Sequence, residues 1–303
     1  MKRILLKKKA IVALCLSALV LSAVFSGCGG RRGDTIVVGA KDFSEQFVLG
    51  HIMEALIAEH TGKPTRQVSN LATWILFQAL ESGEVDVYTE YTGTVVGNLF
   101  GDTTPRHADE TFAIARAGLL ERYGILMLDR LGFNNTYTLA VRPDTAERFN
   151  LRTISDLVRV SNQLTLGASF EFVNREDGLL GLQRMYEGLA FAETITINGS
   201  LRYVALMNDE VQVVDAYSTD GMLLRHELIV LEDDLNFFPS YHAAVILKKE
   251  TAERLPELVE TMNKLIGVLD DSTMRRLNYL VDAEQQAPQA VARNFLKEVG
   301  LIQ

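Results

Sequence analysis

The sequence has almost no cysteine: only Cys15 and Cys28 occur among its 303 residues. Cys15 lies in an apolar run, Ala10 to Phe25, that follows a basic start. This run is too short and too early for a comfortable transmembrane helix, and the small residues Ser26-Gly27 follow it. The order is typical of a secretory signal peptide, which we predict over 1–27. The exported chain then has no cysteine pair, so disulfides are excluded.

The second cysteine directly follows the apolar run. Val24-Phe25-Ser26-Gly27-Cys28 resembles a bacterial lipoprotein box, although Phe25 stands where leucine is usual. Cleavage nearby without lipid is the alternative. Because a lone cysteine at this point has little other purpose, we predict that Cys28 is lipidated and that 28–34 is a linker. The protein is then exported and anchored by lipid on the extracytoplasmic or periplasmic side of the cell membrane.

Basic residues are also scarce. Removal of the first 27 residues lowers Lys plus Arg from 30 to 25 against 39 Asp plus Glu, so the net charge changes from −9 to −14. A surface this acidic excludes nucleic acid as a partner. It also argues against binding to anionic lipid by charge, which leaves the lipid chain as the membrane anchor.

Motifs for catalysis and metal binding are missing as well. No phosphate-binding loop, GxSxG elbow or spare cysteine occurs, and His226-Glu227 is not followed by the second histidine of a zincin. None of the histidines shows metal-ligand spacing: His51, His60, His107, His226 and His242. We therefore predict a protein that is not an enzyme and that has no metal and no cofactor.

Two stretches with one layout organise the rest of the chain: EVDVYTEYTGT (84–94) and VQVVDAYSTDG (211–221). In each, the alternation typical of a strand leads to a tyrosine just past the strand's C-terminal end. A shift of 126 places Tyr91 on Tyr217, and a shift of 128 places Gly39 of TIVVGA on Gly167 of QLTLGA. Two echoes in the same order predict two similar lobes that face each other.

Strands and helices alternate along the chain, which predicts an α/β fold with a mainly parallel sheet in each lobe. Ser44 is expected to cap a helix over Glu45–His60, and a single helix is predicted over Thr251–Leu269. Two crossovers divide the chain, so we predict lobe 1 over 35–135 plus 239–303 and lobe 2 over 136–238.

Candidate ligand-binding residues follow the strands, because ligands bind beyond the carboxyl ends of the strands in parallel sheets. These strand ends, the loop 169–177 and the two crossovers supply Lys41, Tyr91, Thr94, Tyr137, Arg175, Tyr217 and Tyr241. The alternative for each tyrosine is a half-buried packing residue, and Lys41 and Arg175 could be ordinary surface charges. Tyr88 and Trp74 are interpreted as packing residues, and Gln46 as either a ligand donor or helix surface.

Four tyrosines around one point favour a quaternary ammonium guest, because its charge is spread over methyl groups and is cheap to desolvate. If the ligand also has a carboxylate, Lys41 and Arg175 can bind it while Thr94 orients it. A receptor for an amino acid or another polar solute stays possible, with Asp42 or Asp220 as the partner of the ammonium. A sensor domain without a transporter is a further alternative.

Five motifs carry a resemblance to a known family: KDFSEQ, FQALESGEVDVYTEYTGT, LGFNNTYTLAVRPD, VDAYSTDG and VLEDDLNFFPSYHAAVIL. They are similar to those of substrate-binding proteins of osmoprotectant (glycine betaine, carnitine, choline) ABC transporters. The resemblance implies the two-lobe, type II periplasmic-binding-protein fold, closure over the ligand, and permease and ATPase subunits as partners. It also implies an ammonium cage of Tyr91, Tyr137, Tyr217 and Tyr241, with Lys41 and Thr94 at the other end of the ligand and Arg175 on a carboxylate.

Overall fold

Two five-stranded sheets form the framework of the protein in a computed structural model, which describes residues 35–102, 104, 106–197 and 199–303. The predicted signal peptide (1–27), Cys28 and the linker 28–34 lie outside the described residues and stay predictions. Residues Ile36–Gln303 form one compact unit.

The strands of the described residues are β1 (Ile36–Lys41), β2 (Thr65–Leu71), β3 (Val87–Tyr91), β4 (Ile125–Asn134), β5 (Tyr137–Val141), β6 (Thr165–Ala168), β7 (Glu193–Thr196), β8 (Val213–Tyr217), β9 (Ile229–Leu231) and β10 (His242–Lys248). The helices that precede β6 are α1 (Ser44–Thr61), α2 (Thr73–Ser82), α3 (Ala108–Tyr123), α4 (Pro143–Phe149) and α5 (Ile154–Val158). The later helices are α6 (Phe170–Asn174), α7 (Leu179–Met185), α8 (Leu201–Met207), α9 (Gly221–Arg225), α10 (Lys249–Arg254), α11 (Pro256–Asn263), α12 (Asp271–Asp282) and α13 (Pro288–Glu298). A π-helical turn (Thr94–Leu99) and a 3₁₀ turn (Ser161–Gln163) complete the order.

The two sheets have the same internal plan. The first has the strand order β2-β1-β3-β10-β4, and the second has the order β7-β6-β8-β5-β9. In each sheet the three strands at one side are parallel, and the fourth strand joins them antiparallel: β10 beside β3, and β5 beside β8. The predicted α/β class is therefore confirmed. Both sheets are mixed, since four of the five strands run in one direction and only one strand, β10 in the first sheet and β5 in the second, runs in the opposite direction.

Apolar strands and one long helix explain where the core lies. All six residues of β1 are buried, as expected for a β-branched strand covered on both faces. Helix α1 buries one face that includes Ile52 and Leu56, and it packs against α11, α12 and α13. The helix ends at Gly62, whose φ of 66° is the left-handed conformation that glycine adopts without strain. This packing fixes the start of α1 beside the ends of β1 and β3.

Three local predictions were wrong. Phe43 rather than Ser44 is the residue before α1, and the Ser44 hydroxyl instead donates to Asp282 Oδ1 at 2.5 Å. The helix predicted over Thr251–Leu269 is two helices, because Pro256 cannot donate a helical hydrogen bond and begins a new helix. Tyr91 and Tyr217 are the last residues of β3 and β8 instead of lying past them.

In the part of the chain that the structure describes, no helix combines the length and the apolar composition needed to cross a bilayer.

Candidate functional site

All seven residues that the sequence singled out for ligand binding line one cavity where the ends of the two sheets meet. They are Lys41, Tyr91, Thr94, Tyr137, Arg175, Tyr217 and Tyr241. The same cavity is also lined by Asp42, Phe43, Thr73, Asn135 and Glu171. The structure thus brings the predicted residues together, whereas their role in binding stays a prediction.

The four tyrosines come from four neighbouring strand ends. Tyr91 ends β3 and Tyr217 ends β8, and Tyr137 begins β5 directly opposite Tyr217 in the antiparallel ladder. Tyr241 immediately precedes β10. The ring centroid of Tyr137 lies 5.0 Å from that of Tyr217 and 5.7 Å, edge-on, from that of Tyr241. The strand register therefore determines the mutual positions of the rings.

A glycine allows Tyr241 to reach the cavity. A Cβ atom on Gly93 would lie 2.7 Å from both Cδ1 and Cε1 of Tyr241, a distance that real Cβ atoms do not tolerate. The backbone before the ring is held as well, because Thr92 Oγ1 donates to the Ser240 carbonyl at 2.8 Å and accepts from the His242 N–H at 3.1 Å. Gly93 also precedes the π-helical turn that begins at Thr94, a type of local widening that often occurs at functional sites.

Two of the phenol hydroxyls donate to buried carboxylates. Tyr91 donates to Glu45 Oε1 at 2.6 Å, and Tyr241 donates to Asp177 Oδ2 at 2.8 Å. Burial raises the pKa of Tyr91 and of Tyr241 well above its ordinary value, and the charges of Glu45 and Asp177 raise these pKa values further. Burial raises the pKa of Tyr137 and Tyr217 too. All four side chains are therefore neutral phenols at physiological pH.

Cationic side chains of the protein stand over three of the rings. Lys41 Nζ lies 5.2 Å from the Tyr91 centroid, Arg175 Cζ lies 5.5 Å from that of Tyr137, and Arg202 Cζ lies 5.6 Å from that of Tyr217. These distances fall within the range of cation–π attraction. The ring faces can thus attract positive charge, and the protein itself uses this property.

The cations are in turn held by acidic partners. Lys41 Nζ donates to Glu90 Oε1 at 2.5 Å, at the end of the first sheet. Arg175 donates to Asp177 through Nε at 2.7 Å and through Nη2 at 2.5 Å, and its Nη2 lies 3.4 Å from Thr94 Oγ1. Bidentate pairing fixes the guanidinium plane, so Arg175 presents a definite orientation to the cavity.

The cavity in this conformation is small. Its accessible space is about 30 Å³, enough for one or two water molecules but not for a trimethylammonium group. A solute of that size enters only if rings, cations or whole lobes move.

Three residues that the sequence also offered do not line the cavity: Tyr88, Trp74 and Gln46. Tyr88 is fully buried and donates to Glu90, and Trp74 is 45% exposed with its ring edge-on to Phe77. Gln46 is buried and donates to the Tyr91 hydroxyl at 3.0 Å and to the Thr89 carbonyl at 2.9 Å, so it holds the Tyr91 side chain instead of lying on helix surface.

The sequence analysis missed four residues of the cavity lining: Phe43, Thr73, Asn135 and Glu171. Two of them, Phe43 and Asn135, lie within motifs that carry the family resemblance. Phe43 of KDFSEQ stacks on Tyr217 with ring centroids 5.1 Å apart, and on Tyr91 at 6.4 Å. Asn135 of LGFNNTYTLAVRPD lines the cavity two residues before Tyr137. Phe43 lies two residues after β1, and Asn135 lies in the short link between β4 and β5. These positions at strand ends were the signal that could have identified them.

Within the described residues, no group of histidine, cysteine, aspartate and glutamate side chains has an arrangement that could hold a metal ion. The polar groups at the cavity are instead arranged around aromatic faces and two paired cations, an arrangement suited to a small zwitterion or cation.

Comparisons with known proteins cover nearly the whole chain. Residues 34–298 match the family model described as the substrate binding domain of ABC-type glycine betaine transport systems. The chain is 35% identical over 300 residues to a carnitine transport binding protein of Listeria monocytogenes, covering 96% of this chain and 97% of that protein. It is 35% identical over 312 residues to a glycine-betaine-binding protein of Pseudomonas aeruginosa, covering 97% and 96%. The crystal structure of a glycine betaine/carnitine/choline ABC transporter protein superposes with a TM-score of 0.71 at 33% identity, over 88% of this chain and 100% of that one.

Proposed function

Because the chain belongs to the family of substrate-binding domains of ABC-type glycine betaine transport systems, we propose that it captures one quaternary ammonium osmoprotectant and delivers it to a membrane permease. The two-lobe fold expected from the sequence is that of this family. Glycine betaine, choline and carnitine are the candidate ligands, and a permease with its ATPase is the partner assembly.

The observation that carries this proposal is the convergence of four neutral tyrosines on one cavity whose faces already attract cations. The phenol rings of Tyr91, Tyr137, Tyr217 and Tyr241 form the walls for a methylated ammonium. Lys41, Arg175 and Thr94 line the same cavity and suit a ligand carboxylate. A zwitterion such as glycine betaine satisfies both groups of residues at once.

The lobe boundaries are part of the proposal. Strands between 36 and 134 plus β10 form the first sheet, and strands between 137 and 231 form the second. This division supports lobe 1 over 35–135 plus 239–303 and lobe 2 over 136–238. The chain crosses between the sheets twice, next to Tyr137 and next to Tyr241, so that closure and opening of the lobes change the cage directly.

Export and anchoring complete the proposal. The basic, apolar and small-residue segments of 1–27 support secretion, and Cys28 is the proposed site of lipidation. Substrate-binding proteins of ABC importers work on the extracytoplasmic side, where a lipid chain keeps the receptor close to its permease. Metabolic labelling with a clickable fatty acid tests this step, and Cys28→Ser abolishes the label if the proposal is correct.

A receptor for amino acids is less well supported. Such a receptor pairs the ligand's ammonium with a buried carboxylate, and the two acids considered for this role do not fit. Asp42 lines the cavity but is exposed, whereas Asp220 accepts hydrogen bonds from Arg202 Nη2, the Tyr203 hydroxyl and the Tyr217 N–H. The tyrosine faces remain the better recognition element for a positive group without N–H donors.

Titration calorimetry of the purified protein with glycine betaine, choline and carnitine tests the function. We expect at least one of them to bind with micromolar affinity, since four faces contribute about 0.5–2 kcal/mol each. Tyr137→Ala should weaken binding at least about tenfold. No heat from any of the three compounds, in protein shown to be folded by circular dichroism, would contradict the proposal.

A further inference from the structure

A buried carboxylate lies directly behind the cage. Glu45 is in the first turn of α1, and only 2% of its surface is exposed. Its Oε1 accepts from the Tyr91 hydroxyl at 2.6 Å and from Asn135 Nδ2 at 2.8 Å. Its Oε2 accepts from the Thr219 hydroxyl at 2.6 Å and from Asn278 Nδ2 at 3.0 Å. Four donors on two oxygens match the bonding capacity of an ionised carboxylate.

All four of these donors are neutral. The other buried carboxylates at the cavity have cationic partners, because Glu90 pairs with Lys41 and Asp177 pairs with Arg175. In the part of the chain that the structure describes, no lysine, arginine or histidine lies within ion-pair distance of Glu45. Burial raises the pKa of Glu45, whereas the hydrogen bonds from its four donors lower it. A buried carboxylate without a counter-charge gains most from a bound cation, which favours its ionised form.

Two of the donors connect the carboxylate to the cavity. Tyr91 and Asn135 both line the cavity, and both donate to the same oxygen, Oε1. A phenol that donates to a carboxylate becomes more electron-rich, which makes its ring face more attractive to a cation.

The amide of Asn135 is oriented by the same carboxylate. Because Nδ2 faces Glu45, the negative end of the amide dipole, Oδ1, points away from it; the reverse orientation would place two oxygens against each other. Oδ1 is buried and accepts no hydrogen bond from the described residues. Asn278 shares this pattern, but it does not line the cavity.

We propose that Glu45 is the counter-charge of the ligand's ammonium group and that it acts through Tyr91 and Asn135 rather than by contact. It is thus a positioning residue, and because of it the cage prefers a positively charged ligand group to an uncharged group of the same shape. This inference rests on the proposed function and extends it, because it identifies the group that distinguishes a trimethylammonium compound from a molecule of the same form in which carbon replaces the positive nitrogen.

Matched ligand pairs test the inference. In tert-butylacetate a carbon atom replaces the nitrogen of glycine betaine, and in neohexyl alcohol a carbon atom replaces that of choline. Affinities of each pair are measured by calorimetry for the wild type and for Glu45→Gln, which keeps the length of the side chain and removes its charge. We expect the ratio of the dissociation constants, carbon analogue over ammonium compound, to fall at least about tenfold in the variant.

Two further variants make the test specific. Asn278→Leu removes a donor from the same carboxylate on the side away from the cavity, so its ratio should stay within about threefold of the wild type. If circular dichroism shows that Glu45→Gln does not fold, Asn135→Leu replaces it, because this change removes one connection and retains the carboxylate. The ratio is then expected to fall at least about threefold.

The possible outcomes separate this inference from the proposed function. An equal loss of affinity for the ammonium compound and for its carbon analogue in Glu45→Gln would show that Glu45 has only a structural role, and the inference would be overturned. If the folded wild type binds neither glycine betaine nor choline nor carnitine, the proposed function itself fails, and the inference fails with it. A ratio that falls in Glu45→Gln but not in Asn278→Leu supports the inference.

Discussion

The two sheets share one strand order, but they hold their tyrosines in different ways. In the first sheet, Tyr91 is fixed through its hydroxyl, which bonds to Glu45 and Gln46. In the second sheet, the Tyr217 ring is packed between Phe43 and Tyr137, with the buried Arg202 guanidinium over it. Tyr91 is therefore held by a carboxylate and an amide, whereas Tyr217 is held by ring packing, a cation and a hydrogen bond with the Tyr137 hydroxyl. Two sheets with the same strand order thus hold a tyrosine at the equivalent position through different contacts.

The sheets also differ in how they are covered. In the region of the first sheet, which we call the first region, helices α1 and α3 have 18 and 16 residues. In the second region, between β5 and β9 of the second sheet, helices α4 to α9 have five to seven residues. Helices this short gain their stability from packing rather than from their own hydrogen bonds. The second region should therefore depend more strongly on single buried contacts.

The largest expected effect follows from this dependence. Arg202 is 4% exposed and pairs with both Asp215 and Asp220. Arg202→Met leaves Asp215 buried without a cation, so we expect a loss of about 3–5 kcal/mol of unfolding free energy. Urea denaturation measures this loss, and Arg184→Met, which removes an exposed pair, serves as the control with less than about 1 kcal/mol. Similar losses in both variants would contradict the view that the second region relies on this contact.

Ionisable groups in the two regions should give opposite pH dependence. Burial raises the pKa of Asp282, on the first region's α12, to about 6. Between its unfolded value near 4 and this value, the folded state holds more protons, so stability decreases as the pH rises from about 4 to about 6. Asp282→Asn should remove a decrease of about 2–3 kcal/mol over this range, measured by urea denaturation at several pH values.

The counterpart in the second region is Asp156. Hydrogen bonds from the Arg152 and Thr153 N–H groups lower its pKa, so its contribution is present above its unfolded pKa and is lost as the pH falls below it. Asp156→Asn should flatten the acid side of the stability profile below about pH 4 and leave the range of Asp282 unchanged. The contrast would fail if Asp156→Asn changed the stability between about pH 4 and 6, or if Asp282→Asn changed the stability below about pH 4.

The repeated glycine tests what the two sheets have in common. A Cβ on Gly39 would lie 3.0 Å from Val85 Cγ1, and a Cβ on Gly167 would lie 2.9 Å from Val211 Cγ2. Gly39 also faces Leu76 Cδ1 at 2.4 Å. We expect Gly39→Ala and Gly167→Ala each to cost about 1–3 kcal/mol by overpacking, with the larger loss at Gly39. Chemical denaturation measures both, and a neutral result at either position would weaken the structural equivalence.

The smallest effect separates the two supports of the cage. Tyr91→Phe leaves Glu45 and Gln46 each without one buried partner, whereas Tyr217→Phe keeps the ring stacked between Phe43 and Tyr137. We expect Tyr91→Phe to lower stability by about 1–2 kcal/mol and Tyr217→Phe by about 1 kcal/mol or less. Thermal unfolding compares the two, and a larger loss for Tyr217→Phe would reverse the assignment of supports.

The repeat was the part of the fold that the sequence revealed most clearly, and the structure gives the physical reason. Gly39 and Val85 are in contact, and so are Gly167 and Val211 at the shifted positions. Because the chain segments approach equally closely in both sheets, each sheet has a glycine opposite a valine at this point. The tyrosines were also identifiable, because strand order alone brings the ends of β3 and β8 to the cavity.

Glu45 was not identifiable from its own neighbours. An acidic residue in the first turn of a helix is an ordinary favourable feature of a solvated helix end. Its burial depends on Thr219 and Asn278, which lie 174 and 233 residues further along the chain. The break at Pro256 was a different failure, since a local signal was present and the apolar periodicity across it was given more weight.

Under the proposed function, Lys41 and Arg175, the basic side chains that line the cavity beside the Tyr91 and Tyr137 rings, are built-in competitors of the ligand. A tethered guanidinium is present at a high effective concentration, so a weakly attracted amine or metal ion from the medium cannot displace it. The measured affinity for a true ligand is its intrinsic affinity reduced by the fraction of molecules whose rings are free. On this proposal, selectivity against common cations is obtained at the expense of tightness, before any solute has been recognised.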